Sequence, residues 1–258
     1  MVSATLLFCA AACWRSSGTE LVIVVEKNRV LLAADSLVTD DPEHESMRRC
    51  KIHQSGTENY FYAVSGVTSD RQVGFDANDL FAKRRRDLHG AESVNAVGAS
   101  FLPLLQKHLD LLKKQAPNRY DSIVQSGSLE SLFVVDAMGN TKHGYIKDFK
   151  VVNGRVVAAA ARTCLNNPGQ RLKRCTMESN EKILAPALIK DLAQDPGDAV
   201  ANIHKIMDAA TNSRPNDVGP PISILAIESN GQPQWVEAGL CHDIQRPSLP
   251  NKPGQKTK

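Results

Sequence analysis

The sequence carries no large excess of charge of either sign: 31 Lys and Arg against 28 Asp and Glu leave a formal charge of +3 over 258 residues. That imbalance is too small to imply a nucleic-acid partner. The densest basic cluster, Lys83-Arg84-Arg85-Arg86, is broken at once by Asp87 and reads as a solvated helix face. Paired cysteines are also missing. Cys9 and Cys13 fall within the first 18 residues, and Cys50, Cys164, Cys175 and Cys241 show no Cys-x-x-Cys spacing. This argues against a structural zinc site, and no metal or organic cofactor is expected. Nothing in the spacing requires an oxidising compartment. Nor does the apolar stretch Ala4 to Trp14 reach the roughly 20 residues that span a bilayer, so no membrane partner is expected.

What remains is ordinary globular material, 42% hydrophobic and 23% charged, of a length that suits one large domain. Residues 1–18 read as a leader and 19–245 as the domain. Residues 246–258, with Pro247, Pro250, Pro253 and three lysines, read as a mobile tail. Ser16 and Gly18 are small residues of the kind a signal peptidase inspects, but no Lys or Arg precedes the apolar stretch. A short removable propeptide is the preferred reading, which goes with a cytoplasmic protein; export is the alternative if the leader is a signal. A cut after Gly18 exposes Thr19 in either case.

Thr19, Asp35 and Lys51 stand at equal steps of 16 residues. A threonine hydroxyl inside a chain is a poor nucleophile at neutral pH. Freed at an N-terminus, Thr19 would gain an α-amine of ordinary pKa about 7.7–8.0 to act as base for its own hydroxyl. A lysine ammonium beside that amine favours its neutral form, and an aspartate holds the lysine charged and oriented. Lys51 and Asp35 fit those two roles.

The hydrophobic pattern supplies the setting. Leu21 to Val25 and Val30 to Ala34 read as a hairpin of buried strands that ends at Asp35. A second pair begins at Lys51, turns at Ser55-Gly56-Thr57 and runs through Tyr60 to Val64, closing on Ser65 and Gly66. Neighbouring strands would then bring Lys51 beside Thr19. Val73, Leu80, Phe81 and Leu88 suit one helix, and Val94 to Leu112 a second, which Pro103 should kink or start. Strands return at Leu132 to Val135, followed by a turn at Gly139-Asn140. Phe149 to Val152 is joined to Val156 and Val157 by Asn153-Gly154, a strong hairpin signal. Two helical stretches follow, around Ile183 to Leu192 and Val200 to Ala210. A strand at Ile222 to Ile227 then turns at Asn230-Gly231 towards Trp235. The order implies an α+β fold, two antiparallel sheets stacked between helix layers.

Gly18-Thr19-Glu20-Leu21-Val22, Leu31-Leu32-Ala33-Ala34-Asp35-Ser36, Lys51-Ile52-His53 and Ala63-Val64-Ser65-Gly66 together resemble the β-type subunits of the proteasome and their bacterial relatives, which are N-terminal-nucleophile (Ntn) hydrolases. The resemblance is dense over residues 18–70 and returns at Gly219 and Ile222 to Ile227. It implies a four-layer αββα sandwich and a threonine peptidase that processes itself at Gly18-Thr19, then hydrolyses peptides or unfolded proteins. Thr19 would be the nucleophile, Asp35 and Lys51 its supporting pair, and Gly66 the backbone N–H donor to the oxyanion. The family also implies a homo- or hetero-oligomeric ring and an unfoldase partner. Two departures stand out. The supporting Asp of the family follows an Arg, whereas here Arg214 is followed by Pro215, and Asp217 is the substitute. The usual Gly-Ser-Gly segment is replaced by Ala159-Ala160-Ala161-Arg162-Thr163. Two other readings of the chain are a non-catalytic ring or scaffold subunit and an Ntn amidohydrolase of small amides. Singly, Thr19, Asp35, Lys51 and Gly66 also fit a strand start, a strand-end carboxylate, a surface lysine and a turn glycine; Asp217 also fits a solvated loop residue.

Overall fold

The computed structural model describes residues 19–26, 28–38, 47–56, 59–137, 143–164, 173–176, 198–228 and 231–241. The leader, the tail, the turn at Gly139-Asn140 and the helical stretch around Ile183 to Leu192 lie outside them. In chain order come strands β1 (Leu21–Val25), β2 (Arg29–Ala34), β3 (Leu37–Val38), β4 (Met47–Arg48), β5 (Ile52–Gln54), β6 (Tyr60–Ser65), β7 (Ser69–Asp70) and β8 (Phe75–Asp76). Helices α1 (Ala77–Ala82), α2 (Gly90–Gln115) and α3 (Pro117–Ser126) follow. The remainder is β9 (Ser128–Asp136), β10 (His143–Val152), β11 (Arg155–Ala158), β12 (Arg162–Cys164), β13 (Lys173–Thr176), helix α4 (Ala199–Ser213), β14 (Ser223–Glu228) and β15 (Pro233–Glu237).

The strands build two main antiparallel sheets, β13-β1-β2-β14-β15 and β11-β10-β9-β6-β5, with β12 pairing back onto β10. Strand alternation sorts their side chains into three cores. Leu21, Ile23, Leu32 and Ala34 of the first sheet meet Ile52, Phe61, Ala63, Phe133 and Ile146 of the second. The other face of the first sheet, with Val22, Val24, Leu31 and Ala33, packs on Ile203, Ile206 and Met207 of α4. The other face of the second, with Tyr62, Val64, Leu132 and Val134, packs on Phe81, Val94, Phe101 and Leu105 of α1 and α2. The layers therefore run helix, sheet, sheet, helix, as the sequence resemblance implies. Burial on both faces explains why β1 and β2 read as continuous apolar runs rather than alternating ones. The sheets approach closely where β10 passes β1: a Cβ added at Gly144 would stand 2.5 Å from Ile23 Cγ2.

Several local expectations are corrected. The first helix stops at Ala82 rather than running to Leu88, so the basic cluster is not a helix face. Arg84 is buried, its guanidinium 4.1 Å over the Tyr60 ring and its Nε 3.3 Å from Ser55 Oγ, contacts that compensate for lost solvent. Pro103 neither starts nor ends α2, which begins at Gly90. It lies on the exposed side, where the carbonyl its missing N–H leaves unpaired faces water. Helix α3, with no buried residue, has no apolar stripe for a sequence to display. The Asn153-Gly154 hairpin is present, with Asn153 at φ 51° and Gly154 at φ 73°.

Candidate active site

Lys51 is not on a strand beside Thr19 in one sheet, as the sequence suggested. β1 and β2 belong to the first sheet and β5 to the second, and Lys51 meets Thr19 across the sandwich. The chain makes that crossing through the short β3–β4 ladder, Leu37 opposite Arg48, and the Arg49 N–H donates to the Ser36 carbonyl at 3.0 Å. Residues 35 and 51 thereby return to one another.

The result is a buried chain of polar contacts. Lys51 Nζ donates to Thr19 Oγ1 at 3.0 Å and to Asp35 Oδ1 at 2.9 Å. Thr19, Asp35 and Lys51 are 8%, 1% and 7% exposed, so bulk water scarcely screens them. Asp35 also takes backbone N–H groups: Glu20 on Oδ1 at 2.8 Å, and Leu37 and Gly219 on Oδ2 at 3.1 and 3.3 Å. Burial, the larger effect, pushes the Asp35 carboxyl above its ordinary range, while Lys51 and the N–H groups of Glu20 and Gly219 pull it back.

The loop after α4 closes this side. The Asp217 and Val218 N–H groups donate to the Arg214 carbonyl, and Gly219 reaches Asp35. Asp217 thus sits two residues from a direct partner of Asp35. Sequence reasoning missed the ion pair that anchors this loop beside Thr19: Arg214 Nη2 donates to Glu20 Oε2 at 3.0 Å, with Glu20 fully buried. A carboxylate directly beside Thr19 was its only linear trace.

Gly66 ends β6 at φ +85°. Ile52 pairs with Ala63, so Lys51 and Ser65 mark the same end of the second sheet. A polar row runs across that end: Ser65 opposite Ser131, and Ser131 opposite Asp148. It continues the inward-facing Ala63, Phe133 and Ile146. Ser131 Oγ donates to Asp148 Oδ1 at 2.8 Å, and Arg162 Nη2 donates to Oδ2 at 2.9 Å. Arg162 belongs to the segment Ala159-Ala160-Ala161-Arg162-Thr163. None of this row was anticipated, because only the register aligns its members. The same alternation turns Val64 to the helix side, away from the inner face.

The cysteines depart from expectation too. Cys50, next to Lys51, is disulfide-bonded to Cys241 beyond β15, with Cα atoms 4.7 Å apart across 191 residues of sequence. Cys164 is disulfide-bonded as well. Linear spacing hid what the fold brings together. Among the described residues no cluster of three or more metal-ligating side chains occurs, and no helix is long and apolar enough to cross a membrane.

The described residues thus form an αββα sandwich with a threonine at the head of an inner strand, hydrogen-bonded to Lys51, which in turn pairs with Asp35. Among solved structures, the chain is similar to Anbu (ancestral beta-subunit) from Yersinia bercovieri, at 14% identity over 84% of this chain and 86% of that one, with a TM-score of 0.48. It is also similar to eukaryotic HslV from Trypanosoma brucei, at 18% identity over 81% of this chain and 99% of that one, with a TM-score of 0.43. No family model matches the sequence, and no curated protein matches it.

Proposed function

We propose that the protein is a threonine peptidase that frees Thr19 by cleavage at Gly18-Thr19 and then hydrolyses peptide bonds in peptides or unfolded proteins. The observation that carries this reading is Lys51 Nζ placed between Thr19 Oγ1 and Asp35 Oδ1. In the cycle the α-amine of Thr19 takes the hydroxyl proton as Oγ1 bonds to the substrate carbonyl carbon. The Gly66 N–H receives the charge on the carbonyl oxygen, and Asp217 supports the nucleophile from the loop after α4. Collapse breaks the C–N bond; the departing amine takes the proton from the α-ammonium and leaves an ester on Oγ1. Water, deprotonated by the same amine, splits the ester and restores the hydroxyl. Lys51, charged and held by Asp35, keeps the amine neutral between turnovers.

Ring assembly, as homo- or hetero-oligomer, and delivery of substrate by an unfoldase belong to this reading through the family resemblance. The compartment we infer is the exported one rather than the cytoplasm. Disulfides at Cys50–Cys241 and at Cys164 support it, because reducing compartments do not sustain structural disulfides.

Intact mass and labelling test the function. Purified protein should lack residues 1–18 and take up one equivalent of a threonine-directed electrophile; Thr19→Ala should stay unlabelled, and it should keep the leader if Thr19 makes the cut but lose it if a signal peptidase does. A wild type that remains full length and unlabelled would be a scaffold subunit. One that labels but leaves peptides intact would be a small-amide hydrolase.

A further inference from the structure

The buried carboxyl of Glu130 has no task in the cycle above. It lies on β9, 2% exposed, beside the exit of β6, since Ser65 pairs with its neighbour Ser131. Its Oε2 accepts the Val67 N–H at 2.9 Å, and its Oε1 has no hydrogen-bond partner among the described residues. A half-satisfied carboxyl in a core is costly, and an apolar side chain would fill the same volume at less cost. Burial holds the group well above the usual glutamate range.

What it touches is the turn of Gly66. A Cβ at Gly66 would stand 2.6 Å from the Leu129 carbonyl oxygen and 3.2 Å from Glu130 Oε2, so the turn rests directly on residues 129 and 130. Glycine has the widest choice of φ and ψ, and nothing on Gly66 itself selects the direction of its N–H. The next peptide plane, between Gly66 and Val67, is the one Glu130 grips.

We propose that Glu130 is a positioning residue: by holding the Val67 N–H from behind the β6 turn, it fixes the direction in which Gly66 presents its own N–H to the reacting carbonyl. This rests on the reading of Gly66 as oxyanion donor. Glu130→Met keeps length and volume but removes the acceptor, and Glu130→Gln keeps an acceptor. Two measurements on the mature protein separate the roles: amide hydrogen exchange across residues 65–68, and kcat and KM on a peptide substrate. E130M should lose protection there and lower kcat roughly 10- to 100-fold with KM within about twofold; removing an oxyanion donor outright costs about 10²–10³. E130Q should keep both protection and kcat.

Unchanged protection and kcat in E130M would overturn the proposal. So would equal losses in both variants, which would mark a packing defect. If E130M loses protection while the wild type neither labels nor turns over, the anchor stands and the threonine-hydrolase reading falls, taking the catalytic consequence with it.

Discussion

Asp35 gathers four donors, Lys51 Nζ and the N–H groups of Glu20, Leu37 and Gly219, yet burial still raises its pKa. A carboxyl whose folded pKa is raised binds its proton more tightly than in the unfolded chain. Its contribution to stability is therefore complete below the unfolded value, about 3.9, and is lost as pH rises through the folded one. The catalytic sign is opposite, because only the carboxylate holds Lys51 as an ion pair. Below the step of the Thr19 amine, the acid side of kcat/KM against pH should therefore carry a second step with its midpoint above about 3.9, and Lys51→Ala should lower kcat by about 10²–10³. A pH–rate profile of both proteins reads the two effects together. The nearness of these three residues was legible in the sequence, because Thr19 and Asp35 flank apolar runs of strand character and Lys51 begins a second strand pair. Glu20, Arg214, Ser131 and Asp148 were not, since no linear pattern distinguishes a buried charge from a solvated one.

At the scale of elements, β1 of one sheet packs on β10 of the other. They approach closely at Gly144, where a methyl would overlap Ile23 Cγ2. Gly144→Ala should cost about 1–3 kcal/mol, the usual range for overpacking, measured by urea unfolding. Because Thr19 is carried two residues before Leu21, a shifted β1 should also slow labelling of Thr19. The hairpins β1–β2 and β10–β11 follow from their sequences, as does most of α2. The short α1 and the polar α3 do not. Just beyond Ala82, Arg84 meets Tyr60 and Ser55, partners distant in the chain.

Over the whole molecule, the Cys50–Cys241 disulfide joins the segment that carries Lys51 to the end of β15. It closes a loop spanning nearly the entire domain, and removing such a link costs about 2–5 kcal/mol. Cys241→Ser should lower Tm accordingly, and a reductant should lower the wild type's Tm while leaving the variant's far less affected. Alkylation under denaturing, non-reducing conditions should leave Cys50 and Cys241 unmodified in protein recovered from outside the cytoplasm. Modification of both there would remove the support for an exported protein.

The sequence by itself determined the strand hairpins, the layered α+β class and the candidate set Thr19, Asp35 and Lys51, because periodicity and strand ends are local properties of a chain. The tertiary structure decided that Lys51 meets Thr19 from the opposite sheet, that Cys50 reaches Cys241, and that Glu130 lies behind Gly66. Each of these joins residues far apart in the chain, and only the stacking of one sheet on the other and the pairing register within them fix such distances.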